Sequence, residues 1–268
     1  MSDAKRWLTG IIAVPILILV IGPGPRWLFH ILVFIASTVG LHEFYKIAAP
    51  KLPAPVRILS FFLSFFFLFF ISRGPFFMSL AMVPLWAIFP VCFYLFGYYS
   101  RSRHSLEDIG KTVLGLIYVC TPLALLIVID KHPRGNIWIF FLMAVIFLGD
   151  TGAFYVGRAL GKHKLYRSIS PGKTWEGALG GVLSAVVAAL VFPEFFSIYK
   201  VNSTIIVLAI VLSICGQIGD LAESMLKRTN GVKDSGSILP GHGGLLDRID
   251  GLLFSIPVLY LFLSWSIR

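Results

Sequence analysis

Nine apolar stretches separated by short polar or glycine- and proline-containing loops constrain this chain more than any other feature: residues 8–21, 27–49, 58–71, 76–99, 113–129, 137–156, 178–196, 205–222 and 252–267. A helix needs about 20 predominantly apolar residues to cross the hydrocarbon core of a bilayer. Nine such crossings nearly exhaust 268 residues and leave little chain for a separate soluble domain. With 57% hydrophobic and only 13% charged residues, the chain has too little polar surface for an ordinary soluble fold. The pattern predicts an all-α integral membrane protein, a polytopic bundle of about nine transmembrane helices. Lys5 and Arg6 before the first apolar run imitate a signal peptide, but the following Gly22-Pro23-Gly24-Pro25 lacks an A-x-A-like cleavage site, so the run is read as a retained helix.

Orientation follows from the loops. Of the 23 Lys and Arg residues, 17 fall on the side that holds Lys5 and Arg6 and six on the other. The positive-inside rule therefore places the N-terminus in the cytoplasm. The net charge of +10 suits anionic headgroups rather than nucleic acid. Cys92, Cys120 and Cys215 stand singly in apolar runs and imply no disulfide framework.

Ionisable groups divide the chain into a structural part, residues 1–104, and a catalytic part, residues 105–268. The first part carries the tract FFLSFFFLFF, from Phe61 to Phe70, and few charges within its spans. His42 and Glu43 near the end of the second span are the exception, read as interfacial or helix-packing residues. More than half of the 13 acids lie from Asp150 to Asp250, among them Glu176, Asp220, Glu223, Asp234 and Asp247. Asp220, Glu223 and Ser224 share a helix face at i, i+3 and i+4, and Asp247 and Asp250 repeat the i, i+3 spacing at the next span. Two pairs of hard oxygen ligands at the cytoplasmic ends of consecutive helices can meet around Mg²⁺, which keeps positions for water and phosphate. The competing reading is a set of ion pairs closing the helix ends.

Cations surround these acids: Lys227, Arg228, Lys233, His242 and Arg248 nearby, and Arg158, Lys162, Lys164, Arg167 and Lys173 in the preceding cytoplasmic loop. A surface that only held anionic lipid would not interleave its cations with carboxylates, whereas metal-assisted phosphoryl or nucleotidyl transfer requires both signs. Gly231, Gly236, Gly241, Gly243 and Gly244 make the last loop irregular and let backbone N–H groups approach phosphate oxygens. Gly172-Lys173-Thr174 is not a P-loop, because the required earlier glycine falls at Arg167 and no strand is expected before it. Gly157 with Gly161, and Gly177 with Gly181, have small-xxx-small spacing and are assigned to helix packing.

The continuous run SMLKRTNGVKDSGSILPGHGGLLDRID, Ser224 to Asp250, closely resembles the signature of the phosphatidate cytidylyltransferase family, integral-membrane enzymes also called CDP-diacylglycerol synthases. Upstream, Gly149-Asp150-Thr151-Gly152-Ala153, Gly157-Arg158, Gly161-Lys162-His163-Lys164 and Ser170 to Gly177 are similar to the family's second region; Gly172 stands where relatives often carry a longer polar residue. The resemblance covers about the last 100 to 120 residues and implies transfer of CMP from CTP to phosphatidate, giving CDP-diacylglycerol and pyrophosphate. It implies Mg²⁺, with a second cation, K⁺ or another divalent ion. Asp220, Asp247 and Asp250 would bind metal, with Glu223 and Asp150 as further ligands or outer partners. Lys173, Lys227, Arg228 and Arg248 would hold phosphates, and His242 would donate to a phosphate or to the leaving pyrophosphate. Ser224, Lys233, Arg158 and Lys164 complete the expected substrate contacts. The resemblance and the small-residue faces together suggest a homodimer, and the compact form suggests a bacterial plasma membrane with the site facing the cytoplasm.

Three other readings stand beside this one. Asp247-Arg248-Ile249-Asp250-Gly251 is similar to the start of the CDP-alcohol phosphatidyltransferase pattern, but the later spaced aspartates are missing. A membrane lipid or polyprenol kinase is the nearer mechanistic rival. A transporter would use intramembrane acids as an ion path, yet the charges gather in one half with no matching set in the other.

Overall fold

The computed structural model describes residues 11, 14–74, 76–98, 105–238 and 243–266. Helical residues 14–21 form the described part of α1. They are followed by α2 (Arg26–Ala48), α3 (Ala54–Arg73), α4 (Phe76–Phe93), α5 (Ser105–Gly115), α6 (Thr121–Asp130), α7 (Gly135–Leu160), α8 (Trp175–Phe196), α9 (Ser203–Thr229) and α10 (Leu246–Ser266). A π-helical turn, Leu116–Cys120, joins α5 to α6, so that Leu106–Asp130 is one continuous span. Among the described residues, seven helices are long and apolar enough to cross a membrane, and Met82–Phe96 is a shorter apolar helix. The chain is an integral membrane protein with multiple spans, and among the described residues each expected apolar stretch falls on a helix.

The ends differ from the hydropathy reading. α9 runs to Thr229 rather than stopping near Ala222, and α10 begins at Leu246, a turn and a half before Leu252. Backbone hydrogen bonds continue a helix past the point where its side chains cease to be apolar. The loop between α7 and α8 is also not irregular: β1 (Lys164–Tyr166) pairs antiparallel with β2 (Ser170–Thr174), Lys164 opposite Thr174. The Gly172-Lys173-Thr174 segment thus lies within a strand, correcting the expectation of no strand there, although the glycine a P-loop needs is still Arg167.

Close packing of α7 on α8 positions the hairpin. A Cβ on Gly177 would stand 2.8 Å from the Ala153 carbonyl oxygen and 3.1 Å from the Gly157 Cα, and one on Gly181 3.0 Å from the Gly149 carbonyl oxygen. The small-xxx-small faces are therefore spent inside the chain, on the α7–α8 contact, and supply no argument for a dimer. Thr174 caps α8 by accepting the Gly177 N–H at 3.1 Å, and Asn202 caps α9 by accepting the Ile205 N–H at 3.1 Å. Phe62, Phe65, Phe66 and Phe69 of the phenylalanine tract are exposed, while Leu63, Phe67 and Leu68 are buried, the division expected of one lipid-facing and one packed helix face. The free cysteines agree with the absence of a disulfide framework.

At the opposite end of the bundle from the hairpin, Asp130 of α6 is almost fully buried and is paired by Arg26 at 2.8 Å and approached by His30 at 3.5 Å. His30 also meets Ser72 at 2.8 Å, tying α2, α3 and α6 together.

Packing of α7 on α8 predicts that Gly180→Val, whose Cβ would press on the Val156 side chain at 2.5 Å, lowers the thermal unfolding midpoint in detergent. The expected cost is about 1–3 kcal/mol. Gly110→Ala, where a Cβ meets nothing within 4 Å, leaves the midpoint unchanged or raises it.

Candidate active site

A cavity of about 1100 Å³ opens between α7, β2, α8, α9 and α10. This is at the upper end of the range for small-molecule sites and large enough for a nucleotide beside a lipid headgroup. Its walls carry six carboxylates, Asp150, Asp220, Glu223, Asp234, Asp247 and Asp250, and four cations, Arg158, Lys173, Lys227 and Arg248. Asp150 lies ten residues before the end of α7 and Asp220 nine before the end of α9. At 1.5 Å per residue both stand about 14–15 Å below the helix ends, so the cavity runs from a recess at Asp150 and Asp220 up to Lys227 in the last turn of α9 and Asp247 in the first turn of α10.

Asp220, Glu223 and Lys227 share the inner face of α9. The Lys227 ammonium donates to Glu223 Oε2 at 2.7 Å and to Asp247 Oδ1 at 2.7 Å, stitching α9 to the start of α10. The Glu223 side chain is only 1% exposed, and its Oε1 is buried without a hydrogen-bond partner among the described residues. Asp247 is also gripped by the backbone: the Ser235 N–H donates to both its oxygens, and the Gly244 N–H to Oδ2 at 2.9 Å. From the hairpin, Lys173 reaches Asp220 Oδ2 at 2.5 Å. Asp150, Asp220 and Asp250 line the same cavity from α7, α9 and α10.

The expected residues therefore separate. Asp150, Arg158, Lys173, Asp220, Glu223, Lys227, Asp247, Arg248 and Asp250 are brought to one cavity. Ser224 lies beside it, its hydroxyl 3.5 Å from Asp220 Oδ1. Arg228 turns to the hairpin, its Nε donating to the Ile169 carbonyl at 3.5 Å. Lys164 on β1 and Lys233 in the last loop are exposed and outside the cavity walls. His242 lies outside the described residues. Sequence reasoning passed over Gln217, which lines the cavity and donates to the Ala178 carbonyl at 3.1 Å. The signal was present: a polar residue three positions before Asp220, on the same helix face.

The acids both form ion pairs and line the cavity. Ion pairs do close α9 on α10, through Lys227. Carboxylates nevertheless outnumber cations on the cavity walls, and the buried Glu223 oxygen has no donor among the described residues. These hard oxygen donors fit Mg²⁺. No group of three His, Cys, Asp or Glu among the described residues forms a ready metal cage. Mg²⁺ does not need one, being held through one or two carboxylates together with waters and substrate phosphates. The arrangement defines a polytopic membrane protein with a recessed, mixed-charge cavity suited to phosphate-bearing ligands.

A sequence profile of the cytidylyltransferase family matches residues 4–266, nearly the whole chain. The chain is similar to the phosphatidate cytidylyltransferase of Bacillus subtilis (strain 168), with 36% identity over 98% of this chain and 99% of that protein. It is also similar to those of Staphylococcus epidermidis (strain ATCC 12228 / FDA PCI 1200), 42% identical over 61% of this chain and 62% of the relative, and Staphylococcus aureus (strain COL), 39% identical over 62% and 64%. The chain belongs to the cytidylyltransferase family.

Lys227→Met leaves Glu223 and Asp247 without their shared cation at a largely buried position. It should destabilise the protein by about 3–5 kcal/mol, the usual consequence of breaking a buried ion pair from one side. Thermal unfolding in detergent checks this, and an unchanged midpoint would show that the bridge contributes no stability.

Proposed function

We propose that this chain is a phosphatidate cytidylyltransferase, joining CTP and phosphatidate to give CDP-diacylglycerol and pyrophosphate. The observation that carries the reading is the cavity wall, where six carboxylates and four cations face one space. Both substrates are polyanions, and a wall with excess negative charge accepts them only together with a divalent cation. The full-length similarity to the Bacillus subtilis enzyme supports the same substrates.

When bound, Mg²⁺ would supply neutralisation of phosphate charge and a template for in-line displacement. Asp220 and Asp250, with Asp150 and Glu223 beside them, are the ligands best placed for it. Asp247 has both oxygens engaged by protein donors and would join the set only by giving up part of that engagement. A second cation, K⁺ or divalent, would share the remaining carboxylates. Lys173, Lys227, Arg158 and Arg248 bind phosphate oxygens and hold the reactants in line, and Arg228, Ser224, Lys233, Lys164 and His242 are proposed as outer contacts. The nucleophile is a phosphatidate oxygen that is already ionised, so no side chain has to remove a proton. Its bond to the α-phosphorus of CTP forms as the bond from that phosphorus to the bridging oxygen of the β-phosphate breaks, and pyrophosphate leaves with the electron pair.

The N-terminus and the cavity would face the cytoplasm of a bacterial plasma membrane, following the lysine and arginine bias. Residues 105–268 would form the catalytic part and 1–104 the supporting part. A homodimer remains part of the proposal on family resemblance alone.

Incubation of the purified protein with labelled CTP and phosphatidate should place CMP in lipid and release pyrophosphate, only with Mg²⁺ present. Transfer of phosphate alone, leaving CDP, would instead identify a lipid kinase. Asp220→Asn should lower kcat/KM by about 100-fold or more, as expected for a group that compensates transition-state charge. Near-normal turnover at saturating Mg²⁺ would remove Asp220 from the site.

A further inference from the structure

Glu43 of α2 is only 1% exposed, although it is an acid in an apolar helix and lies outside the cavity walls. Its Oε1 accepts the Leu245 N–H at 3.0 Å, and its Oε2 accepts the Leu246 N–H at 2.9 Å and the Ser235 hydroxyl at 3.2 Å. No cation pairs with it among the described residues. A buried carboxylate costs several kcal/mol in desolvation unless donors replace its water. Here the donors are the backbone N–H groups of Leu245, just before α10, and of Leu246, its first residue, together with one hydroxyl, and the positive end of the helix dipole adds to them.

The surrounding chain is shaped to this carboxylate. A Cβ on Gly244 would stand 2.7 Å from Glu43 Oε1, and one on Gly236 would also collide with that oxygen. Ser235 has two roles. Its hydroxyl donates to Glu43 and accepts the Asp247 N–H at 3.4 Å, while its own N–H donates to Asp247 Oδ2 at 3.0 Å. Glu43 is thus bonded to the backbone at the α10 N-terminus and to Ser235, which in turn holds the Asp247 carboxylate.

We propose that Glu43 is a positioning residue, through which the N-terminal part of the chain holds the Asp247–Asp250 turn of α10 in its working register at the cavity. This rests on the reading of the cavity as the cytidylyltransferase site. Glu43 lies outside the cavity walls, so its loss should disturb alignment more than substrate binding.

The test uses the full chain in detergent. Glu43→Gln keeps the size of the side chain but sets an amide NH₂ against N–H donors. It should lower kcat by about 10–100-fold, the usual cost of losing a partner that orients a metal-binding carboxylate. The KM values for CTP and phosphatidate should stay close to wild type, and Mn²⁺ affinity, followed by electron paramagnetic resonance, should weaken about 10-fold. Wild-type kcat per folded molecule, or unchanged Mn²⁺ affinity, would overturn the proposal. Should Glu43→Gln fail to fold, Ser235→Ala decides: lower kcat with unchanged KM supports it, and wild-type kcat overturns it. If the wild-type protein transfers no CMP, the functional reading fails, while the Mn²⁺ comparison still decides the role of Glu43.

Discussion

Charge placed among apolar helices has to be compensated by other parts of the protein, since the hydrocarbon offers no water to do it. At the hairpin end, Lys227 answers Glu223 and Asp247, Lys173 answers Asp220, and backbone N–H groups answer Glu43. At the other end, Arg26 answers Asp130. The compensating groups come from a different part of the chain in every case but the Lys227–Glu223 pair, so satisfying the charges also fixes how the elements sit. The two ends differ in what remains: Asp130 is buried and answered by an exposed Arg26, whereas the hairpin end keeps more carboxylates than cations around an open cavity.

The cavity depends on an uneven distribution of bulk. Glycine and other small residues let α7 and α8 approach closely along Gly149, Ala153 and Gly157 against Gly177 and Gly181. That approach carries Thr174 to the start of α8 and leaves Lys173 directed at α9, where it meets Asp220. The hairpin is locked further by Glu176, which accepts from the His163 backbone and ring at 2.6 to 3.2 Å. A pair of helices with bulky contacts would hold the hairpin farther from α9.

The helices were legible because hydropathy responds to burial in lipid, and nine apolar runs in so short a chain leave few alternatives. Their ends were not, because hydropathy reports where the membrane stops and backbone hydrogen bonding decides where the helix stops; the last turns of α9, carrying Ser224, Lys227 and Arg228, are the example. The acids of α9 and α10 could be paired from their i, i+3 spacing alone. Glu43 could be flagged as an acid out of place, but its partners lie some 200 residues away and are mostly backbone N–H groups, which leave no mark in a sequence. The small-xxx-small faces announced close packing without naming the partner, and the structure places that partner within the same chain.

The ion pairs at the cavity also explain why cations and carboxylates are mixed there. In the proposed reaction a polyanionic nucleotide enters with its divalent cation, which offsets part of its negative charge. Lys173 and Lys227, paired here with Asp220 and Asp247, would then bind phosphate oxygens, and those carboxylates would be available to hold the metal. Partners are exchanged, and few charges are left uncompensated at any stage, which matters in a recess walled by apolar helices. A site of cations alone would hold the phosphates in place but lack groups to receive the metal. A site of carboxylates alone would repel both reactants. The α9 segment Asp220, Glu223 and Lys227 carries both signs on one face, which makes it the part of the cavity where such an exchange requires the least movement.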